Sequence, residues 1–241
     1  MVTIVVRFIW FDLGYTLAYI NREEMYYERL QTIGISKSIE ELMLAFHLAD
    51  KYYMREHPGA LGKKTEQVMN DYYKRLNEYL HIQCDDLTKE RYILGSEIKP
   101  EWRPFEETIS TLEKLKTSGI GVGLISNWDE TAIDVLEKTK ILPLLDKVII
   151  SSEIGIEKPD ERIFLHALEQ IDIPVCECLY VGDNYYDDVL GSRKVGMDSI
   201  LINPFDNIGI EEIPDILKIS NIKELFPALD LFTRERVKEE V

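Results

Sequence analysis

Short hydrophobic runs rich in β-branched residues alternate with amphipathic stretches along most of the chain. This alternation is typical of a parallel β-sheet covered by helices on both faces. The pattern predicts five strands, over residues 4–11, 121–125, 147–151, 178–181 and 199–202. Pro104 is expected at the start of one intervening helix and Gly119 just after its end. Pro159 opens a second predicted helix, and a third is expected over 186–195.

Residues 19–97 follow a different pattern, with successive amphipathic helical stretches and no strand-like run. Ser38 and Glu41 have the spacing of a capping box and predict a helix start, and a further helix is expected over 65–80. Three tyrosine pairs, at 26–27, 52–53 and 72–73, should each place one ring inside and the other at the rim, because adjacent helix positions point apart. We therefore expect a parallel α/β core interrupted by an all-α insertion.

The net charge and the cysteine content restrict the classes of function that this chain can have. The 241 residues include 28 Lys and Arg against 44 Asp and Glu, a formal net charge of -16 that disfavours binding to nucleic acid or anionic membranes. Three cysteines are too few for a disulfide framework, and Cys176 and Cys178 are expected to pack in a buried strand. The apolar stretch 2–11 is too short to span a bilayer. We expect a soluble cytoplasmic protein, monomeric or homodimeric.

Polar side chains follow four of the predicted strands. Because ligands bind beyond the carboxyl ends of an open parallel sheet, these residues are the candidates for chemistry. They comprise carboxylates, a hydroxyl, an amide and one fixed positive charge: Asp12, Ser126, Asn127, Lys158, Asp183, Asp187 and Asp188. Such a set can hold a hard cation together with phosphate oxygens.

Four sequence motifs resemble those of the haloacid dehalogenase-like hydrolases, and they occur after the same strands and in the same order. They are 11–17, 124–127, 158–160 and 181–188, with the sequences FDLGYTL, LISN, KPD and VGDNYYDD. The resemblance covers the core but not the insertion. It implies a Rossmann-like parallel sheet core formed by 1–18 and 98–241, with a helical cap domain of 19–97.

The resemblance also implies a phosphatase mechanism that uses magnesium and a small phosphorylated substrate. Asp12 would be the nucleophile that forms an aspartyl-phosphate, and Lys158 would neutralise charge shared with the phosphoryl group. The substrate-binding residues it implies are Thr16, Ser126 and Asn127, and the Mg²⁺ ligands are Asp12, the Gly14 carbonyl, Asp183 and Asp188. Asp187 receives no role.

Gly14 departs from the family pattern. Phosphatases of this family usually carry an Asp at this position, which protonates the leaving group and then activates water. Its absence leaves two alternatives open: dehalogenation of a haloacid without metal, and a non-catalytic protein that binds phosphate or a protein partner. For a phosphatase it predicts slow turnover and a preference for leaving groups that need little protonation, unless Tyr15 or an acid of the insertion supplies the proton.

Overall fold

The computed structural model describes residues 6–62, 65–82, 97–214 and 216–239, with side chains up to 234. The chain folds into two compact units. The core unit comprises Met1–Tyr19, Trp102–Asp206 and Glu212–Val241, and the helical unit comprises Ile20–Glu101 and Asn207–Glu211. Within the described ranges, no helix combines the length and the apolar character that crossing a membrane requires.

The core unit is built on a parallel six-stranded sheet. The described strands are β1 (Phe8–Phe11), β2 (Ala18–Ile20), β3 (Trp102–Pro104), β4 (Gly121–Ser126), β5 (Lys147–Ile150), β6 (Cys178–Gly182), β7 (Asp198–Ile202) and β8 (Lys218–Ile219). Of these, β2 and β3 form a small separate sheet. The six-stranded order is β5-β4-β1-β6-β7-β8, and β2 pairs with β3. The five predicted strands are all present, with ends shifted by a few residues, and positions 4 and 5 lie outside the described residues.

The described helices are α1 (Arg22–Thr32), α2 (Ile39–Glu56), α3 (Glu66–Tyr79), α4 (Thr108–Thr117), α5 (Ala132–Lys138), α6 (Ser151–Ile154), α7 (Glu161–Glu169), α8 (Leu190–Arg193) and α9 (Leu225–Glu239). The capping box before α2 is confirmed, because Ser38 accepts from the Glu41 backbone and the Glu41 carboxylate accepts from the Ser38 backbone. The helix predicted over 65–80 is α3, with Thr65 as its N-cap.

Helices cover both faces of the six-stranded sheet. Ile9 and Phe11 of β1 pack in the hydrophobic cluster that contains the apolar residues of α4, α5 and α9. Phe8 and Trp10, which alternate with them, pack in a second cluster with Ile163 and other residues of α7. Both faces are therefore buried, as the continuous hydrophobic runs of a parallel sheet require.

The helical unit has a hydrophobic core of its own, in which α1, α2 and α3 pack around tyrosine rings. The prediction that one tyrosine of each pair is buried and the other lies at the rim is confirmed at 26–27, where Tyr26 is buried and Tyr27 is exposed. It is wrong at Tyr72 and Tyr73, which are both buried. The hydroxyl of Tyr72 donates to Asp50 at 2.6 Å, so this polar tip has a partner inside the unit.

Two local predictions are wrong, and a third is confirmed only in part. Pro104 ends strand β3 instead of opening a helix, and α4 begins at Thr108. The helix expected over 186–195 is a π-helical turn, Tyr185–Val189, followed by the short α8. Cys176 lies in an exposed turn before β6, so only Cys178 of the pair packs in the strand.

Candidate active site

The register of the sheet brings the first, second and fourth motifs to one edge. Phe11, the last residue of β1, lies opposite Leu124 of β4 and Val181 of β6. Asp12 follows β1 directly, and Asp183 follows β6. The strand order reverses at β1, whose neighbours are β4 and β6. Such a switch point is where open α/β sheets bind ligands.

Lys158 joins two of the carboxylates by short ion pairs. Its Nζ lies 2.7 Å from Asp12 Oδ1 and 2.6 Å from Asp188 Oδ1. Burial disfavours the charged form of Lys158, but the two carboxylates outweigh it and hold the pKa of Lys158 well above its ordinary value. Burial raises the pKa of Asp12, while the Lys158 ammonium opposes the rise. Lys158 is therefore a fixed positive charge beside a partly accessible carboxylate, since 13% of the Asp12 side chain is exposed.

Asp12, Asp183 and Asp188 form a cluster whose carboxylate oxygens, one from each residue, lie within 4.8 Å of one another. Carboxylate oxygens are the ligands that Mg²⁺ prefers. Three carboxylates against the single charge of Lys158 leave an excess of negative charge, which a divalent cation would offset. The donor set is therefore compatible with Mg²⁺.

Local backbone geometry holds the Asp188 carboxylate in this cluster. Asn184 caps the π-helical turn by accepting from the backbone of Tyr186 at 3.0 Å, and its own backbone N–H donates to Asp188 Oδ2 at 3.0 Å. Gly182 leaves the space that this carboxylate occupies, because a Cβ at residue 182 would lie 2.5 Å from Asp188 Cγ. The glycine of the fourth motif thus has a steric reason.

The three residues predicted to bind substrate differ in their environments. Ser126 Oγ donates to Asp12 Oδ1 at 3.3 Å, so this hydroxyl lies beside the candidate nucleophile. The Asn127 side chain is engaged with the Lys158 backbone, donating to its carbonyl at 2.9 Å and accepting from its N–H at 2.7 Å. Thr16 is 1% exposed, and its Oγ1 has no hydrogen-bond partner among the described residues. Among the hydrogen bonds of the described residues, only that of Ser126 therefore joins one of these three side chains to Asp12.

Aromatic rings border Gly14, where the usual acid is missing. A Cβ built on Gly14 would lie 3.5 Å from Trp128 Cζ3 and 3.9 Å from Trp102 Cη2, which are ordinary contact distances. The two indole rings meet edge to face with centroids 4.7 Å apart. Trp128 is held in place by hydrogen bonds from its backbone N–H to Ser151 Oγ at 3.1 Å and from its Nε1 to Thr131 Oγ1 at 3.1 Å. A side chain at residue 14 would therefore stand against indole carbon atoms.

Two further residues contribute to the site, and the sequence assigns a role to neither. Tyr180 of β6 accepts a hydrogen bond from Lys158 Nζ at 2.9 Å. Burial, followed by the charge of Asp188, raises the pKa of Asp187 to about 7. Asp187 accepts from the Asn184 amide at 2.8 Å and so belongs to the loop that carries Asp188. The spacing of Asp187 makes it visible in the sequence, whereas Tyr180 resembles an ordinary core residue.

Known proteins resemble this chain over most of its length. The chain is 28% identical over 212 residues to the haloacid dehalogenase-like hydrolase domain-containing protein 3 of Danio rerio, covering 83% of this chain and 86% of that protein. It is 30% identical over 171 residues to the glyceraldehyde 3-phosphate phosphatase of Methanopyrus kandleri, covering 68% and 67%. A HAD phosphatase from Thermococcus onnurineus shares the fold, with a TM-score of 0.56, 23% identity, and coverage of 92% and 97%.

A family model described as haloacid dehalogenase-like hydrolase matches residues 11–202. That range begins one residue before Asp12 and contains all the other residues of the acidic cluster. It also includes Lys158 and the strands that carry these side chains. The chain therefore belongs to the haloacid dehalogenase-like hydrolase family.

Proposed function

We propose that this protein is a Mg²⁺-dependent phosphatase that hydrolyses a small phosphorylated metabolite through an aspartyl-phosphate on Asp12. The observation that carries the proposal is the contact of Lys158 Nζ with Asp12 Oδ1 at 2.7 Å, within a cluster of three carboxylates. A positive charge at this position favours the approach of an anionic phosphoryl group to a carboxylate. The relative named as a glyceraldehyde 3-phosphate phosphatase supports the reaction type.

In this proposal Asp12 attacks phosphorus in line with the leaving oxygen, and water later attacks the same phosphorus to release phosphate and restore the carboxylate. Lys158 neutralises charge shared between Asp12 and the phosphoryl group. Ser126, with the Asn127 backbone, donates to phosphoryl oxygens, and Thr16 steadies the loop. Asp12, Asp183, Asp188 and the Gly14 carbonyl would hold Mg²⁺, whose positive charge would offset the charge of the incoming phosphate.

The residue at position 14 limits which leaving groups depart readily. Gly14 has no side chain that could donate a proton, and the atoms nearest to a Cβ at this position are carbons of Trp102 and Trp128. A leaving group of high pKa would therefore depart without being protonated. Its departure would lack the general acid catalysis that normally accelerates such a step by about 10² to 10⁴. We infer that acyl phosphates and anomeric sugar phosphates are better substrates than alkyl phosphates. We further propose that the predicted cap domain, 19–97, selects the substrate.

Gly14 also favours a second candidate, the hydrolysis of a 2-haloacid, in which Asp12 attacks carbon and expels the halide to form an ester. Water would then attack the carbonyl carbon of the Asp12 ester and release the 2-hydroxyacid, so that the carboxylate acquires an oxygen from solvent. Asp183 and Asp188 argue against this reaction, because two further buried carboxylates repel an anionic haloacid. A non-catalytic protein that binds phosphate would retain the same cluster without turnover.

Phosphate release from acetyl phosphate and p-nitrophenyl phosphate, with and without Mg²⁺, tests the proposal. We expect release that depends on Mg²⁺ and is lost in Asp12→Asn, with ¹⁸O from labelled water appearing in phosphate. Chloride release from 2-haloacids without metal, with ¹⁸O in Asp12, would establish dehalogenation instead. Binding of BeF₃⁻ without turnover of either substrate class would support the non-catalytic protein.

A further inference from the structure

The hydroxyl of Tyr180 is buried on one face of the sheet, beside the Lys158 ammonium. Tyr180 is fully buried, at 0% exposure, and belongs to the cluster on the α7 side of the sheet. Its ring packs edge to face on Phe164 with centroids 5.4 Å apart. A phenol at this depth needs a polar partner, because burying an unpaired hydroxyl is costly.

The partners of Lys158 Nζ use all three of its N–H groups. They are Asp12 Oδ1 at 2.7 Å, Asp188 Oδ1 at 2.6 Å and the Tyr180 hydroxyl at 2.9 Å. A lysine ammonium has three donors and no acceptor, so this set satisfies it completely. Tyr180 is the neutral member, and it supplies a lone pair without adding a further negative charge to the site.

The same hydroxyl ties Lys158 to a second strand. Tyr180 donates its proton to the carbonyl of Ile125 at 2.9 Å. Ile125 is the residue before Ser126 in β4, so the bond connects the lysine to the strand that carries the candidate phosphate-binding hydroxyl. The direction of the O–H bond is fixed by this acceptor, which leaves an oxygen lone pair for Lys158.

We propose that Tyr180 is a positioning residue, whose hydroxyl fixes Lys158 Nζ between Asp12 and Asp188 and so directs its charge toward the transferring phosphoryl group. This inference rests on the proposed function, because the reaction in which Lys158 acts is the proposed phosphoryl transfer to Asp12. Two carboxylates attract the ammonium but leave its third N–H undirected, whereas the phenol gives that N–H an acceptor. Removal of the acceptor permits Nζ to shift, and displacements of a fraction of an ångström lower catalytic rates.

Tyr180→Phe removes one oxygen atom and keeps the ring packed on Phe164. We expect kcat for acetyl phosphate to fall about 10-fold, with KM changed by less than about twofold, because the lost hydrogen bond acts on charge that develops in the transition state. Thr139→Val is the matched control, since the buried Thr139 hydroxyl donates to the Val135 carbonyl at 2.7 Å at the end of α5 in the core unit. It should retain the wild-type kcat. An unchanged kcat in Tyr180→Phe would overturn the proposal.

A double-mutant cycle separates positioning of Lys158 from a structural role of the hydroxyl. In a Lys158→Met background, Tyr180→Phe should cost little further activity, because its effect passes through the lysine. Equal losses in both backgrounds would overturn the proposal.

The same double-mutant cycle can be measured as free energies of unfolding in urea, which requires no enzymatic turnover. We expect the two substitutions to be non-additive, and additive effects on unfolding would overturn the Tyr180–Lys158 coupling. A wild-type protein that hydrolyses no phosphate would refute the proposed function, and the unfolding cycle would still decide whether Tyr180 positions Lys158.

Discussion

Gly182→Ala should weaken the proposed Mg²⁺ site without removing any of the residues proposed to hold the ion. A Cβ at residue 182 would lie 2.5 Å from Asp188 Cγ, whereas nonbonded carbon atoms prefer about 3.5–4.0 Å. The Asp188 carboxylate would have to move by roughly 1 Å, which displaces it from the position in which it accepts from Lys158 Nζ at 2.6 Å. Overpacking of this kind costs about 1–3 kcal/mol in stability. Misplacement of a ligand should lower Mg²⁺ affinity about 10- to 100-fold, in the range seen for lost supporting contacts.

The assay is the Mg²⁺ concentration that gives half-maximal hydrolysis of acetyl phosphate, together with urea unfolding. Gly121→Ala is the matched control, because its Cβ would lie 2.6 Å from Phe8 Cε2 at the start of the strands, away from the carboxylates. We expect both variants to lose stability and only Gly182→Ala to require more Mg²⁺. Equal Mg²⁺ requirements in Gly182→Ala and the wild type would refute the reasoning.

Three further outcomes are expected. Gly14→Asp should raise kcat for alkyl phosphates about 10²-fold relative to acetyl phosphate, since it restores a proton donor, and an unchanged ratio would mean that another group supplies the proton. Asp50→Asn should lower the free energy of unfolding by about 3 kcal/mol in urea titrations, because it breaks a largely buried pair with Arg22, whereas Glu56→Gln in an exposed pair should cost less than about 1 kcal/mol. Burial lowers the pKa of His47 to about 4, below its ordinary 6.5, so stability should decrease as the pH falls from about 6.5 to 4. The loss should reach about 3 kcal/mol at most, and His47→Gln, measured by the same titrations, should flatten this slope.

The sheet and most of the candidate site follow from local sequence. Five strands are predictable because buried parallel strands appear as continuous hydrophobic runs, and residues placed directly after them must share one edge. Asp12 and Asp183 are located in this way. Their side chains meet because β1 and β6 are neighbours in the sheet.

The remaining features depend on contacts that local patterns do not encode. Tyr180 lies in a buried strand and is indistinguishable in sequence from core packing, since its hydroxyl finds Lys158 only in the folded chain. Asn127 supports the Lys158 backbone across 31 residues, a pairing that spacing does not reveal. Pro104 is compatible with a helix start, but it is equally compatible with the end of the short edge strand β3.

The domain boundary is predicted from the chain order of helices and strands alone. That criterion assigns the segment Asn207–Glu211 to the core, whereas in the folded chain it belongs to the helical unit. His47 Nε2 lies 2.8 Å from the Ile208 carbonyl oxygen within that unit. A contact between positions 161 residues apart leaves no periodic signal in the sequence.

Titration calorimetry with BeF₃⁻, a mimic of the phosphoryl group, tests the central claim most directly. The claim is that a divalent cation offsets the charges of Asp12, Asp183 and Asp188 so that Asp12 can accept an anion. We expect BeF₃⁻ to bind the wild-type protein only when Mg²⁺ is present, and to bind neither Asp12→Asn nor Asp183→Asn at the same Mg²⁺ concentration. Equal binding of BeF₃⁻ with and without Mg²⁺, or undiminished binding to Asp183→Asn, would contradict the claim.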